Sequence, residues 1–286
     1  MSADVQDLLA ARDADITALR EELDETNKGV VALYAELDDK AAQLRDANEL
    51  KSRFLSYMSH EFRTPLTSVT SITGILLSRL DGPLTAEQQK QVEFIRSSAR
   101  ELTDMVGDLL DLAKVEAGRI TISPEWFELV DLISALRGMF KPIVATTSVS
   151  LFFDEPESDV RLFSDDKKVS QILRNFISNA LKFTPQGEVR VSARMLDTDT
   201  IEFAVTDTGI GIAAEHIPNL FADFVQLDVR LQKRLRGSGL GLSLARKFAG
   251  LLGGRVGVES QLGKGSRFFV ILPVRFVGPV TPAVTP

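Results

Sequence analysis

An apolar residue at every seventh position of the first fifty residues constrains the fold of this chain more than any other feature. These positions are Leu9, Ile16, Leu23, Val30, Leu37 and Leu44. A helix with this repeat carries an apolar seam that a second helix covers in a coiled coil. Arg12, Thr26 and Lys40 interrupt the companion positions of the repeat, and Gly29 is expected to soften the helix. We therefore predict a coiled coil over residues 1–50 that pairs two copies of the chain. The alternative is a solvated helix without a partner.

Charge is distributed unevenly along the chain, whose net charge is −7. Residues 1–50 carry 13 acidic and 5 basic side chains, which leaves 27 acidic and 28 basic ones for the rest. An acidic arm on a nearly neutral body argues against general nucleic-acid binding. The absence of cysteine excludes disulfides, thiolate metal sites and cysteine nucleophiles. Since the sequence contains no apolar run of membrane-spanning length and no signal-peptide pattern, we predict a cytoplasmic protein.

His60, one of two histidines, lies in an amphipathic stretch that directly follows the arm. Apolar residues recur there at helical spacing, at Phe54, Met58, Phe62, Leu66 and Val69. At about 100° per residue, His60 points away from this apolar stripe and into solvent, with Glu61 beside it. Pro65 lacks a backbone donor and is expected to kink the helix just after the histidine. Taken alone, the pattern also fits a solvated surface histidine.

A second amphipathic helix is predicted after a turn at Asp81-Gly82-Pro83. Its apolar positions are Val92, Ile95, Ala99, Leu102, Val106, Leu109 and Ala113. Gly118 is a plausible helix cap at its end. Residues 51–118 are thus predicted to form an antiparallel helical hairpin. Two such hairpins would bury both apolar stripes in a four-helix bundle.

The pattern of residues 119–274 changes to strands mixed with helices. Strands are predicted at 120–122, 126–129, 149–153, 188–196, 200–206, 255–259 and 266–272, and helices at 129–145, 165–181 and 240–252. Residues 156–159 read as a loop, and glycines punctuate 207–239. This mixture predicts an α+β layered domain. The tail, 275–286, has no periodicity and is predicted to be disordered.

Three glycine clusters carry the chemistry-bearing residues of this domain. In the first, Asp207 ends a strand and Gly209 and Gly211 follow, so backbone can approach a flat ligand while the carboxylate accepts an amine hydrogen bond. The second, residues 237–242, opens a helix, whose N–H groups can meet phosphate oxygens. The third, Gly263-Lys-Gly265, also fits a hairpin loop. Each cluster, taken alone, favours a structural role over a functional one.

Two asparagines at i and i+4, Asn175 and Asn179, share a face of the helix predicted upstream. Their carbonyl oxygens suit a hard cation such as Mg²⁺ beside substrate phosphates. Lys182 could meet a phosphate as a point charge. A solvated polar helix face is the alternative.

Together, these blocks resemble the sensor histidine kinases of two-component signalling over residues 50–273. The stretch around His60 looks like the H box, residues 175–184 the N box, 207–211 the G1 box, 221–224 the F box and 237–242 the G2 box. The departures are Phe62 where leucine is commoner and Ser238 where threonine is commoner. Neither removes a reactive group. The fold implied is the α+β two-layer ATP-binding sandwich known as the Bergerat fold.

The resemblance implies a dimeric protein-histidine kinase that uses ATP and Mg²⁺. His60 would accept the γ-phosphoryl group, Glu61 would take or orient the imidazole proton, and Thr64 matches the position that orients water against a partner's aspartyl phosphate. Asp207 would read the adenine amine and Asn179 would bind Mg²⁺. The nucleotide-binding residues implied are Asn175, Asn179, Lys182, Phe183, Asp207, Gly209, Gly211, Phe221, Phe224, Arg236, Gly237, Ser238, Gly239, Leu240, Gly241 and Leu242.

Residues 212–236 would form an ATP lid in which Lys233, Arg234 and Arg236 approach the phosphates, whereas His216 matches no motif. The implied partner is the receiver domain of a response regulator, with a sensor partner upstream as a further possibility. A nucleotide-binding regulator that pairs with another kinase through the coil is an alternative. A second alternative is an ATP-driven conformational machine of the related gyrase and chaperone superfamily. That alternative assigns no role to the exposed His60.

Overall fold

The computed structural model describes residues 3–80, 82–144, 148–156, 160–225 and 239–278. The chain divides into two compact units, Met1–Phe54 and Leu55–Pro286. Helix α1, Ala3–Ser78, begins in the first unit and ends in the second. Among the described residues, no helix is apolar over a length that would cross a bilayer.

The first unit consists of the arm, which is helical as its sequence predicts. The described residues of the seven-residue repeat all expose their side chains, at Ile16, Leu23, Val30, Leu37 and Leu44. A seam that stays in solvent on one chain is what a coiled coil requires before its partner is added. Pairing of two arms remains a prediction.

The second unit begins with the predicted helical hairpin. Helix α1 continues past Pro65 to Ser78, and α2 covers Ala86–Glu116. Thr85 and Gln88 cap α2 reciprocally, since each side chain accepts from the backbone N–H of the other residue. Gly118, with φ +65°, follows the C-cap of α2 in the left-handed conformation that favours glycine.

Few side chains of the hairpin helices are buried. On α1 these are Ser59 and Thr73, and on α2 they are Val92, Ala99, Leu110, Leu112 and Ala113. The apolar stripe of α1 is not buried within one chain, because Phe62, Ile72 and Ile75 are 46%, 57% and 50% exposed.

The remainder of the second unit is an α+β sandwich, as predicted. Its elements are β1 Glu125–Glu128, α3 Leu129–Val144, β2 Val149–Phe153, β3 Arg161–Ser164, α4 Asp166–Phe183, β4 Gly187–Met195, β5 Thr200–Asp207, a 3₁₀ helix Ala214–Asn219, α5 Gly241–Leu251, β6 Arg255–Gln261 and β7 Gly265–Pro273. The main sheet has the order β2-β4-β5-β7-β6, antiparallel except for the parallel β2–β4 pair. Strands β1 and β3 form a separate antiparallel pair.

The core lies between one face of this sheet and helices α3, α4 and α5. Helix α4 contributes a fully buried stripe, made of Val169, Ile172, Leu173, Phe176, Ile177 and Ala180. Phe203 on β5 and Phe248 on α5 are also fully buried. Because α4 places its apolar stripe inward, its opposite face is left for polar side chains.

One local prediction differs from the structure, and two short elements were missed. The predicted strand at 120–122 is extended chain without a strand partner, although Ile120 and Ile122 pack against the core. Strand β3 was not predicted, and neither was the 3₁₀ helix at Ala214–Asn219. The predicted disordered tail lies mostly outside the described residues, which end at Gly278.

Candidate active site

His60 is exposed on α1, as the sequence predicts, and so are Glu61 and Thr64. The Thr64 hydroxyl donates to the His60 carbonyl oxygen at 3.3 Å, which holds that side chain along the helix. The preceding residue, Ser59, is buried, so the exposed and buried sides of α1 meet at this point. The hairpin therefore presents an imidazole, a carboxylate and a hydroxyl within two helical turns, all open to an approaching partner.

Asp207 ends strand β5 and is only 5% exposed. The backbone N–H of Gly209 donates to its Oδ1 at 2.8 Å. Burial raises the pKa of Asp207, and the hydrogen bond from the Gly209 backbone lowers it. This donor fixes a carboxylate that has lost most of its water, so the carboxylate can accept a hydrogen bond from an amine of a flat ligand.

The loop after Asp207 lies so close to neighbouring backbone that two of its residues must be glycine. A Cβ on Gly209 would overlap the Phe183 carbonyl oxygen, and one on Gly211 would overlap the Gln261 carbonyl oxygen. The Ile210 N–H donates to the Phe183 carbonyl at 3.2 Å. The end of α4 and the loop after β5, the predicted N and G1 boxes, are therefore joined by backbone contacts.

Gly263 lies in the turn between β6 and β7 and Gly265 is the first residue of β7, so the third cluster is part of a hairpin. The Gly263 N–H donates to the Ile210 carbonyl at 2.7 Å. A Cβ on Gly265 would overlap the Asp207 carbonyl oxygen. The β6–β7 hairpin thus packs against the backbone of Asp207 and of the loop that follows it. The sequence could not predict that this hairpin supports the Asp207 loop. Its only sign is Gly265, and the residue that Gly265 contacts, Asp207, is far away along the chain.

The polar face of α4 carries both asparagines, which have different surroundings. The Asn175 amide donates to the Gly241 carbonyl oxygen at 3.0 Å and so attaches α4 to the start of α5. One turn on, the half-buried Asn179 amide has no hydrogen-bond partner within the described part of the chain. Asn175 is thus held by a contact with α5, whereas the Asn179 side chain is not committed to one among the described residues.

Lys182 and Phe183 complete the polar end of α4. The Lys182 Nζ lies 5.4 Å from the centre of the Phe183 ring. Burial lowers the pKa of Lys182, and the nearby Glu101 raises it. A partly desolvated ammonium group one turn from Asn179 can attract phosphate oxygens more strongly than a fully hydrated one.

The predicted F and G2 boxes are only partly described. Phe221 is half-buried and meets Phe268 edge-on at 6.5 Å, whereas Phe224 is 62% exposed with φ +61°. Of the G2 box, Gly239, Leu240, Gly241 and Leu242 lead into α5, with Leu240 buried and Leu242 packed against the core. The predicted phosphate-facing residues Lys233, Arg234, Arg236, Gly237 and Ser238 lie outside the described residues.

The second histidine, His216, lies half-buried in the 3₁₀ helix, away from the predicted motifs. Its Nε2 is 3.6 Å from Glu215 Oε1. This is a surface contact between neighbours in sequence, which gives His216 no part in the site.

The donor set fits Mg²⁺ only if a ligand supplies most of the oxygens. Among the described residues there is no group of three or more histidine, aspartate or glutamate side chains that could hold a metal by itself. The Asn179 amide oxygen is a suitable hard donor, and Mg²⁺ is commonly held by one or two protein oxygens together with phosphates and water. The residues present therefore fit a nucleotide-bound magnesium ion.

Two family models match the chain. Residues 50–118 match the His Kinase A (phospho-acceptor) domain, and residues 164–275 match the histidine kinase-, DNA gyrase B- and HSP90-like ATPase domain. The first match contains the hairpin with His60, and the second contains α4, Asp207 and the glycine clusters.

The chain is also similar to parts of longer histidine kinases. It is 33% identical over 267 residues to the autoinducer 2 sensor kinase/phosphatase LuxQ of Vibrio parahaemolyticus, covering 91% of this chain and 30% of that protein. It is 37% identical over 237 residues to the histidine protein kinase DivJ of Caulobacter vibrioides, covering 82% and 39%.

Among solved structures, full-length ShkA in complex with AMPPNP is similar at a TM-score of 0.61 and 32% identity, over 79% of this chain and 46% of that one. The chain thus spans about a third of the two curated relatives. The hairpin with its exposed histidine, the ATPase sandwich and these matches agree, and the chain belongs to the sensor histidine kinases of two-component systems.

Proposed function

We propose that the protein transfers the γ-phosphoryl group of ATP to His60 and then passes it to an aspartate of a response regulator. The proposal rests on one observation. The same chain carries an exposed histidine, His60, and an ATPase sandwich with a buried carboxylate, Asp207. A histidine without a nucleotide site, or a nucleotide site without an acceptor, would favour other functions.

ATP is held in this proposal by the residues around Asp207. The carboxylate accepts the adenine amine, Phe183 lies beside the nucleotide, and Lys182 faces the phosphates. Asn179 contributes an oxygen to Mg²⁺, which supplies charge neutralisation at the phosphates when bound. Phosphoryl transfer needs little more than positioning and charge compensation, which these groups can provide.

The transfer step forms a bond between phosphorus and a ring nitrogen of His60 and breaks the bond to ADP, which leaves. Glu61 takes the imidazole proton that the new bond displaces, as a general base next to the acceptor. In the second step the phosphoryl group moves from the ring nitrogen to a carboxylate oxygen of the regulator. His60 regains its proton.

We propose that the same exposed face serves the response regulator. An aspartate of a second protein can reach His60 because neither the hairpin partner nor Thr64 covers it. Thr64 lies one turn beyond His60 and could orient water against the regulator's aspartyl phosphate, which would add a phosphatase activity. The name of the similar LuxQ includes both activities.

We also propose that the chain acts in the cytoplasm as a homodimer, paired through the arm and the hairpin. The exposed apolar side chains of both elements support pairing, because a soluble monomer rarely leaves such surfaces bare.

The decisive experiment uses labelled ATP with Mg²⁺ and compares His60→Gln with His216→Gln. We expect wild type and His216→Gln to acquire acid-labile label, and His60→Gln to lose it completely while still binding AMPPNP. Retained label on His60→Gln would disprove the assignment of His60. Absence of label from all three proteins that bind AMPPNP would favour the regulator without kinase activity.

A further inference from the structure

Helix α2 carries a stripe of carboxylates on the side that meets the ATPase sandwich. Glu101, Asp104, Asp108 and Asp111 follow at spacings of three, four and three residues, which places them on one helix face. Glu116 ends the helix beyond them. The acidic stripe is defined here as these five residues.

Two contacts join the acidic stripe to the sandwich, one at α4 and one at α5. The Gln171 amide on α4 donates to Asp111 Oδ2 at 3.0 Å. Lys247 on α5 lies with its Nζ 3.4 Å from Glu116 Oε1 and 3.1 Å from Asp223 Oδ2, so it links α2 with the F-box segment. Its side chain is 27% exposed, which makes this pair less hydrated than a free surface ion pair.

Two cationic residues of α4, Arg174 and Lys182, interact electrostatically with the other end of the acidic stripe. Gln171, Arg174 and Lys182 share one face of α4, at spacings of three and eight residues. Burial raises the pKa of Asp104, and Arg174 lowers it. Glu101 likewise acts on Lys182 by raising its pKa. The lysine assigned to the ATP phosphates is therefore within electrostatic reach of a carboxylate of the same chain's hairpin.

We propose that the acidic stripe of α2 competes with the triphosphate of ATP for the cationic face of α4, so that docking of the sandwich on its own hairpin and nucleotide binding weaken each other. The inference rests on the proposed function for the placement of the phosphates near Lys182 and Asn179. It adds a built-in restraint on the kinase that acts before any phosphoryl transfer.

The physical basis is repulsion between like charges. A triphosphate beside Lys182 would face Glu101 and Asp104, and the repulsion is relieved when the sandwich leaves α2. Binding free energies are linked. If docking lowers the affinity for ATP by some factor, bound ATP lowers the docking equilibrium constant by the same factor. Salt reduces both effects, since the Debye length is about 8 Å at physiological ionic strength.

Lys247→Met gives the sharpest test, because it removes a cation and yet should tighten the binding of an anion. Without Lys247 the sandwich is held less firmly on α2, and the affinity for magnesium-AMPPNP should rise about threefold or more, a change typical of losing one partly buried ion pair. Arg246→Met is the matched control on the same helix, and it should leave the affinity unchanged or lower it. The Glu101→Gln, Asp104→Asn double variant should also tighten binding, and Glu87→Gln with Glu93→Gln should not.

Cross-linking reports docking independently of nucleotide affinity. The chain has no native cysteine, so Asp111→Cys with Gln171→Cys can be joined by a short bifunctional reagent without side reactions. AMPPNP should slow this cross-link, and the slowing should shrink in high salt. Unchanged or weaker AMPPNP binding in Lys247→Met, or cross-linking insensitive to AMPPNP, would overturn the inference. A wild type that binds no AMPPNP would instead overturn the proposed function.

Discussion

Asp207 combines a function with a cost to stability. It is almost fully buried, and burial raises its pKa although the Gly209 backbone donates a hydrogen bond to it. An ionised carboxylate in such a place is stabilised less than it would be in water. A residue that served the fold alone would not need to be an acid here, so the burial itself favours a ligand-binding role.

The pH dependence of stability should reveal this cost. The folded pKa of Asp207 lies above the unfolded value of about 3.9, so stability from this group is fully present below the unfolded pKa and is lost as the pH rises through the folded pKa. The free energy of unfolding of wild type should therefore fall relative to that of Asp207→Asn as the pH rises from about 4. Thermal melts of both proteins without nucleotide measure this difference.

Nucleotide affinity should change in the opposite sense over the same window. Ionisation of Asp207 supplies the acceptor, so AMPPNP affinity of wild type should increase with pH. Asp207→Asn should bind at least about tenfold more weakly and lose this pH dependence, because hydrogen bonds to charged groups contribute about 1.5–3 kcal/mol. Parallel pH profiles for the two proteins would contradict the assigned role.

The β6–β7 hairpin offers a matched pair of glycines. Gly265→Ala places a Cβ against the Asp207 carbonyl oxygen, so it should displace the end of β5 and weaken both stability and AMPPNP binding. Gly263 also has a positive φ, +79°, but open space around it. Gly263→Ala should therefore cost only the left-handed strain of about 1–2 kcal/mol and leave nucleotide affinity nearly intact. Denaturant melts and AMPPNP titrations separate the two effects, and equal losses of affinity would refute this role of Gly265.

Residue types and spacing allowed the sequence to predict His60, Asn179 and Asp207 as candidates, and the structure confirms the exposure of the first and the polar face of the second. What the sequence could not show is how Asn175 differs from Asn179. That difference comes from Gly241, 66 residues away along the chain. Periodicity reports which face a side chain occupies, but not which distant backbone group meets it.

At the scale of elements, strongly periodic segments were predicted well. Helices α3 and α4 and strands β2, β5 and β7 lie within one or two residues of their predicted bounds, because each carries a complete apolar face. The failures concern short segments. Strand β3 has four residues and depends on pairing with β1, and the segment 120–122 has strand-like residues but no neighbour to pair with. Tertiary pairing, which local pattern does not encode, decided both cases.

At the scale of the whole molecule, the hairpin leaves apolar surface that one chain does not cover. Phe94 is 73% exposed on α2, and Ile72 is 57% exposed on α1. The sequence predicted burial of both stripes in a bundle of two hairpins, and Phe94 lies next to Ile95 of the α2 stripe, which is itself 47% exposed. A single chain satisfies only the contact between its own two helices, so the remaining stripe is the surface on which a second copy would pack.

Phe94→Asp should therefore weaken self-association of the full chain. Burial of a phenylalanine side chain contributes about 1.5–3 kcal/mol, and a symmetric dimer loses this twice, so the dimer dissociation constant should rise at least about a hundredfold. Sedimentation equilibrium over a range of concentrations measures it. Leu262→Asp is the control, since this residue is 65% exposed in the turn between β6 and β7 and lies outside the hairpin. If Phe94→Asp dimerises as tightly as Leu262→Asp, the hairpin does not supply the dimer contact, and the apolar seam of the arm must account for any pairing alone.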